Sequence, residues 1–372
     1  MVFNYQSIHY SECIEALVKK IKMKMSNVSL CGFYGFNNYG DTLMLDCLSS
    51  FLRSSGLSVS VFSDRKSDES FCYKKVGPNK SDIIALGGGG IITQNFWYIK
   101  EGLYKYLRDD QKLILLNVNL TSESVPVLAL LKDKISLAVV RDRFSYDLAL
   151  KFLMDESKVI LASDISYIYN VKKINEGYTD SVFDKKEKKV SVCLNSYIFK
   201  DYFSNDSRQR IYAEKAIIEI SEFLKWMKTF NHKVQLVPSQ VDTEVNDNTI
   251  HGILNGYIGG ANKWIYTNEH IEHNLKNSSL IISARYHTTL FAIKNSIPFI
   301  DITHHSKNSN LLKDLGLQEF SINYWKIGLE ELKKKAFEAQ NSDLISEISS
   351  SYGVSSREDW SKVLEKIHIL IQ

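Results

Sequence analysis

Apolar residues recur along most of this chain as short runs separated by amphipathic stretches. Val28–Phe33 predicts a first buried strand, followed by a turn-rich loop, Tyr34–Asp41, and a helix over Thr42–Arg53 with Asp41 as its N-cap. Leu57–Phe62 alternates and predicts the next strand. Ile83–Leu86 predicts another, ending in the run Gly87–Gly90. Further strands follow at Leu113–Val118, Leu137–Val140 and Val159–Ala162, with helices at Val125–Lys132 and Ser145–Met154. The second half repeats the alternation. Strands are expected at Val190–Leu194 and Val234–Val237, and the strongest amphipathic helix at 209–230. A helix at 268–277 precedes a strand–helix–strand unit over Ser279–Ile302. Helices at Leu329–Ala339 and Trp360–Ile371 close the chain.

Strands alternating with helices predict parallel sheets. The expected fold class is therefore α/β, with two Rossmann-like domains facing a cleft. The first spans residues 1–170. A charged linker covers 171–189, the second domain covers 190–350, and a C-terminal helix over 351–372 packs back across the junction. Residues 9–25 form an amphipathic helix with the stripe Ile14, Leu17, Val18, Ile21 and Met25. Either it packs on the sheet or it touches anionic lipid.

Composition narrows the class. At 372 residues and 44% hydrophobic, the chain has material for roughly two cores. A net charge of +3 gives no support to nucleic acid as a partner. Five cysteines with no C-x-x-C pair read as free thiols in a reducing compartment. No secretory leader is visible, and no run approaches the roughly 18 apolar residues of a membrane span. The expectation is a cytoplasmic protein, with peripheral contact at the inner membrane face as an additional option.

Four segments carry candidate chemistry. Arg285 and His287 fall where a strand ends and a helix begins, the place where parallel sheets bind ligands and helix N-termini receive anions. Strand-like alternation turns the intervening Tyr286 away from any ligand there. Arg141-Asp142-Arg143 follows a strand directly; it is either an anion-binding fork or a surface ion pair. Gly87–Gly90 serves a close backbone approach or domain packing, and matches neither a dinucleotide fingerprint nor a Walker loop. Gly35–Asp41 is turn chemistry or a binding loop. Lys307, and His304-His305, lie just past the last strand of the Ser279–Ile302 unit. His270 and His273 form an H-x-x-H without acidic or thiol company, so no metal is expected; nor does any Asp-x-Asp pair occur.

Taken in order, these segments resemble the polysaccharide pyruvyl transferase family. The matching residues are Gly35, Asn38, Gly40 and Asp41; Asp82 and Gly87–Gly90; Arg141-Asp142 and Ser145; Asp164; Arg285, His287, Ala292 and Pro298; and Lys307 with Leu315-Gly316-Leu317. The resemblance implies a glycosyltransferase-B-like fold. It also implies transfer of pyruvate from phosphoenolpyruvate onto two hydroxyls of a sugar in a bacterial surface polysaccharide or its lipid-linked precursor, without a cofactor. By the same resemblance, Arg141, Arg285 and His287 are the catalytic residues, with Arg143 as the fallback for Arg141. Gly88, Gly89 and Lys307 join them around the donor. The acceptor side is assigned to the first domain, with Asn38, Asp41, Gln94, Asn95 and Trp97, whose ring either stacks on a sugar face or packs in the core, and the donor side to the second domain. A nucleotide-sugar-dependent glycosyltransferase of the same fold is the competing expectation. A non-catalytic binding protein of this fold is a second.

Overall fold

The computed structural model describes residues 26–63, 81–168, 188–196, 200, 202–242, 245–267, 270–303 and 306–371. The amphipathic stretch at 9–25, nearly all of the charged stretch at 171–189, Cys13, Cys72 and His304-His305 lie outside the described residues.

Two six-stranded parallel sheets divide the chain. The first comprises β1 (Asn27–Cys31), β2 (Ser58–Phe62), β3 (Ile83–Gly89), β4 (Lys112–Val118), β5 (Ile135–Val140) and β6 (Val159–Leu161), in the order β2-β1-β3-β4-β5-β6. The second comprises β7 (Lys189–Cys193), β8 (Lys233–Leu236), β9 (Lys263–Trp264), β10 (Leu280–Ser283), β11 (Phe299–Thr303) and β12 (Ser321–Asn323), in the order β12-β11-β10-β7-β8-β9. Every pairing is parallel, so the strands read as near-continuous apolar runs covered on both faces. Winding reverses between β1 and β3 and between β7 and β10. Those two switch points open crevices at the carboxyl ends of the strands.

Helices α1 (Tyr39–Ser54), α2 (Trp97–Lys100), α3 (Val125–Leu131) and α4 (Arg143–Leu153) connect the first sheet. In the second half come α5 (Ser207–Thr229), α6 (Asp247–Tyr257), α7 (Ile271–Leu275), α8 (Tyr286–Lys294), α9 (Ser306–Asp314), α10 (Leu329–Asn341) and α11 (Leu344–Ile371). Several expectations are corrected. Helix α1 starts at Tyr39, and its N-cap is Asn38, whose Oδ1 accepts from the Gly40 amide at 2.9 Å; Asp41 lies inside the first turn. Gly87–Gly89 continues β3 instead of ending it, because Gly87 and Gly89 pair with Leu116 and Val118. The elements α2, α6, β9, α9 and β12 were not anticipated; two are strands of two or three residues and α2 is a single turn, too short for a periodic signal.

The last helix is longer than its apolar pattern suggested and serves both halves. Its beginning, through Ile345 and Tyr352, packs into the second half. Its end buries Trp360, Val363 and Ile367 against α1 and the first sheet. The Trp360 ring meets Phe51 edge-on at 4.9 Å, and its Nε1 donates to the Ser163 carbonyl at 3.0 Å. At the front of the junction the Tyr39 amide donates to the Ser239 carbonyl at 2.8 Å and the Val241 amide to the Asn37 carbonyl at 3.0 Å. No described helix is long and apolar enough to cross a membrane.

Candidate active site

Where the carboxyl ends of the two sheets face each other, the chain gathers three cations, one imidazole and several carboxylates. Arg141 emerges from β5. Asp142 caps α4 by accepting from the Ser145 amide and hydroxyl, both at 2.8 Å. The Arg141 guanidinium is almost fully buried. Its Nη1 pairs with Asp164, and its Nε donates to Oδ1 of Asn119. One face of the fork lies 4.3 Å over the Tyr286 ring, a cation–π contact supplied by the other half of the molecule. This overturns the expectation for Tyr286. Arg285 is the extended N-cap of α8 and Tyr286 its first helical residue, so from Tyr286 onward the 100°-per-residue turn of a helix sets side-chain directions and the two-residue period of a strand no longer applies.

Arg285 is held just as firmly. Nε donates to Oδ2 of Asp247 at 3.1 Å, Nη2 pairs with the other carboxylate oxygen, and Nη1 donates to Oε1 of Gln240 at 3.2 Å. Asp247, the first residue of α6, also accepts backbone amides from Ser196, Ser239 and Gln240. Each arginine therefore comes with its own buried carboxylate, a pairing the sequence did not reveal. His251, one turn along α6, is buried and pushed down to about 4, mainly by burial, with Arg285 acting in the same direction against Asp247.

His287 packs on the first half: a Cβ on Gly40 would overlap its ring. Its Nε2 is buried, lies 3.5 Å from Asp164 and makes no well-formed hydrogen bond. Burial pushes the imidazole below its usual range, and Arg141 and Lys307 push the same way against Asp164, so it is neutral near pH 7. Burial pushes the Asp164 carboxyl up, but Arg141, His287 and Ser166 outweigh it and hold the group well below the usual carboxylate range. A cavity of about 60 Å³ lies behind the imidazole, lined by Tyr39, Glu272, Lys294 and neighbouring apolar residues.

Lys307, in the first turn of α9, reaches across to Gly90, where an added Cβ would lie 2.7 Å from its Cε. It makes neither hydrogen bond nor ion pair with a described residue, and burial lowers its affinity for a proton. Among the three cations it is the one without a carboxylate already bound. Asp41 faces it from α1.

The remaining sequence candidates divide. Gly88 and Gly89 have φ of 84° and 92°, which only glycine adopts without strain. Gly88 serves packing, since a Cβ there would meet Met44 at 3.1 Å, while Gly89 borders Asp41. Asn38 spends its amide on the helix cap and on Gln240, to whose Oε1 it donates at 3.4 Å. Gln94 and Asn95 lie exposed on the turn before α2. Trp97 is corrected: it is a core residue, packed against Phe62, Phe96 and Tyr98, and has no free face for a sugar. Arg143 turns outward over Tyr146 and only its backbone amide bridges the halves, donating to Asp314 at 2.8 Å. Asp82 binds the Asn27 amide at the opposite, amino end of the sheet. Among the described residues no His, Cys, Asp and Glu group is arranged to hold a metal.

Two doubly wound parallel sheets whose carboxyl ends face each other across a cluster of cationic and acidic side chains define a GT-B-type fold. The solved structures similar to this chain include a putative UDP-N-acetylglucosamine 2-epimerase from Listeria monocytogenes (TM-score 0.62, 9% identity, 92% of this chain and 95% of that one). They also include UDP-GlcNAc 2-epimerase from Neisseria meningitidis bound to UDP-GlcNAc (0.57, 10%, 92% and 99%), and the glycotransferase of kitacinnamycin (0.56, 9%, 93% and 99%). No curated protein matches the sequence significantly. Residues 38–306 match the polysaccharide pyruvyl transferase family, and the chain belongs to that family.

Proposed function

We propose that this chain moves the pyruvyl group of phosphoenolpyruvate onto two hydroxyls of one sugar in a surface polysaccharide or its lipid-linked precursor, leaving a cyclic ketal and phosphate. The observation that carries this reading is the convergence of Arg141, from the first sheet, with Arg285, His287 and Lys307, from the second. A small donor bearing both a carboxylate and a phosphate needs several cations close together, and a proton carrier beside them. Lys307, unpaired, is the first anchor for the donor. The arginine forks, held in place by Asp164 and Asp247, supply preorganised positive charge where the phosphate departs. His287, neutral and buried, takes a proton or binds the leaving phosphate. Gln94 and Asn95, exposed on the first half, remain candidates for acceptor contact, as does Asp41.

The test is to incubate the protein with phosphoenolpyruvate and a panel of synthetic lipid-linked oligosaccharides, following phosphate release and the mass gain of a pyruvyl ketal. The expected result is coupled release and gain, abolished in His287→Ala. Turnover in His287→Ala within a few-fold of wild type removes that residue from the chemistry. Sugar transfer from a nucleotide sugar, with no response to phosphoenolpyruvate, replaces the reading with the glycosyltransferase one.

A further inference from the structure

The carboxyls around the cleft are occupied, with one exception. Asp164 holds Arg141 and Ser166, Asp142 caps α4, and Asp247 holds Arg285 with three backbone amides. Asp301 accepts from Thr289, Thr303 and Asn308. Asp41 accepts no hydrogen bond from any described residue, though it stands in the first turn of α1 within the field of the charge cluster. Three cations are close enough to act on its charge: Lys307 from α9, Arg141 from the end of β5 and Arg285 from the start of α8. The His287 ring lies on the adjacent Gly40, and the Asp41 Oδ1 borders Gly89, 3.8 Å from where a Cβ would stand. Burial pushes the Asp41 carboxyl up to about 6, against the pull of Lys307, Arg141 and Arg285.

We propose that Asp41 carries the proton of the transfer: it protonates the methylene carbon of the donor and recovers a proton from the first sugar hydroxyl to attack. The inference rests on the phosphoenolpyruvate reading above. Two hydroxyl protons enter the reaction; one ends on the methylene carbon, now a methyl, and the other on the departing phosphate. Asp41 gives its proton to that carbon, and the double-bond electrons form the new C–H bond. C2 becomes cationic beside the carboxylate just formed, which stabilises it. As the first hydroxyl adds to C2, its proton passes to Asp41. The C2–O bond to phosphate then breaks with its electron pair, the second hydroxyl closes the ring, and its proton leaves with the phosphate. Binding of an anionic donor prepares the acid, because negative charge beside a carboxylate favours its protonated form.

The experiment is calorimetric titration of phosphoenolpyruvate into wild type, Asp41→Asn and Asp41→Glu, from pH 5.5 to 8, in buffers of differing ionisation heat. Wild type and Asp41→Glu should take up a proton on binding near pH 7. Asp41→Asn should bind at least as tightly as wild type, take up clearly less proton, and lose on the order of 100-fold in transfer, the lower range for one acid–base group. Carbon-13 NMR of the Asp41 carboxyl in the wild-type chain gives the same answer without a variant: its titration moves to higher pH when the donor binds. Equal proton uptake in wild type and Asp41→Asn, or an unmoved carboxyl titration, overturns the proposal. A wild type that fails to bind phosphoenolpyruvate overturns the donor reading itself.

Discussion

Gly40→Ala probes the contact between the halves directly. Gly40 has ordinary helical geometry, so alanine is compatible with the backbone and gains up to about 1 kcal/mol of helix propensity. The new methyl, however, stands 2.8 Å from Cε1 of His287 and closer still to Nδ1, where ordinary contact begins at 3.4 Å. Overpacking of that kind costs about 1–3 kcal/mol, leaving a net loss of roughly 0–2 kcal/mol. The ring relieves the clash by retreating about 1 Å, and a misplacement of that size costs on the order of 100-fold in rate. The expected outcome is a variant whose melting is close to wild type, whose secondary structure by circular dichroism is unchanged, and whose transfer activity is lost. Measuring melting and pyruvyl transfer on the same preparation separates the two effects. A Gly40→Ala protein that transfers within threefold of wild type refutes the claim that His287 needs the bare backbone of α1.

Asp164→Asn leaves the buried Arg141 without its carboxylate and should destabilise by about 3–5 kcal/mol at pH 7, read by chemical denaturation. The sign with pH follows from a carboxyl held low in the folded state. Its contribution is full above the unfolded value near 4 and declines as pH falls from there toward the folded value. Wild-type stability should therefore drop through that acid window, and Asp164→Asn should show a shallower slope; equal slopes count against the pairing. Trp360→Ala should cost about 3–5 kcal/mol, seen as a lowered melting temperature of the first half, since the ring is buried against Phe51 and its indole nitrogen is bonded to Ser163.

Much of the cleft was legible because its cations stand beside local landmarks. Arg285 and His287 sit between an apolar run and an amphipathic segment, and Arg141 directly follows another such run. Such junctions are strand ends whatever the tertiary structure. Asp247 was missed because its importance is non-local: it meets Arg285 only once α6 and α8 pack on the same sheet, 38 residues apart in the chain. Asn246 capping the following helix was the available signal. Trp97 misled for a similar reason, since an aromatic beside polar Gln94 and Asn95 reads equally as a sugar platform or a core anchor. Only Phe62 and Phe96 packed around it decide the matter.

The helix that closes the chain also has a consequence for how the protein is made. Trp360, Val363 and Ile367 complete the apolar cluster around α1, whose own residues are synthesised about three hundred positions earlier. At about 5–20 residues per second, that interval lasts roughly 15–60 s. For that time the nascent first half presents an unfinished hydrophobic face outside the ribosome. Its window for aggregation, or for capture by a holdase chaperone, closes only when the last helix emerges.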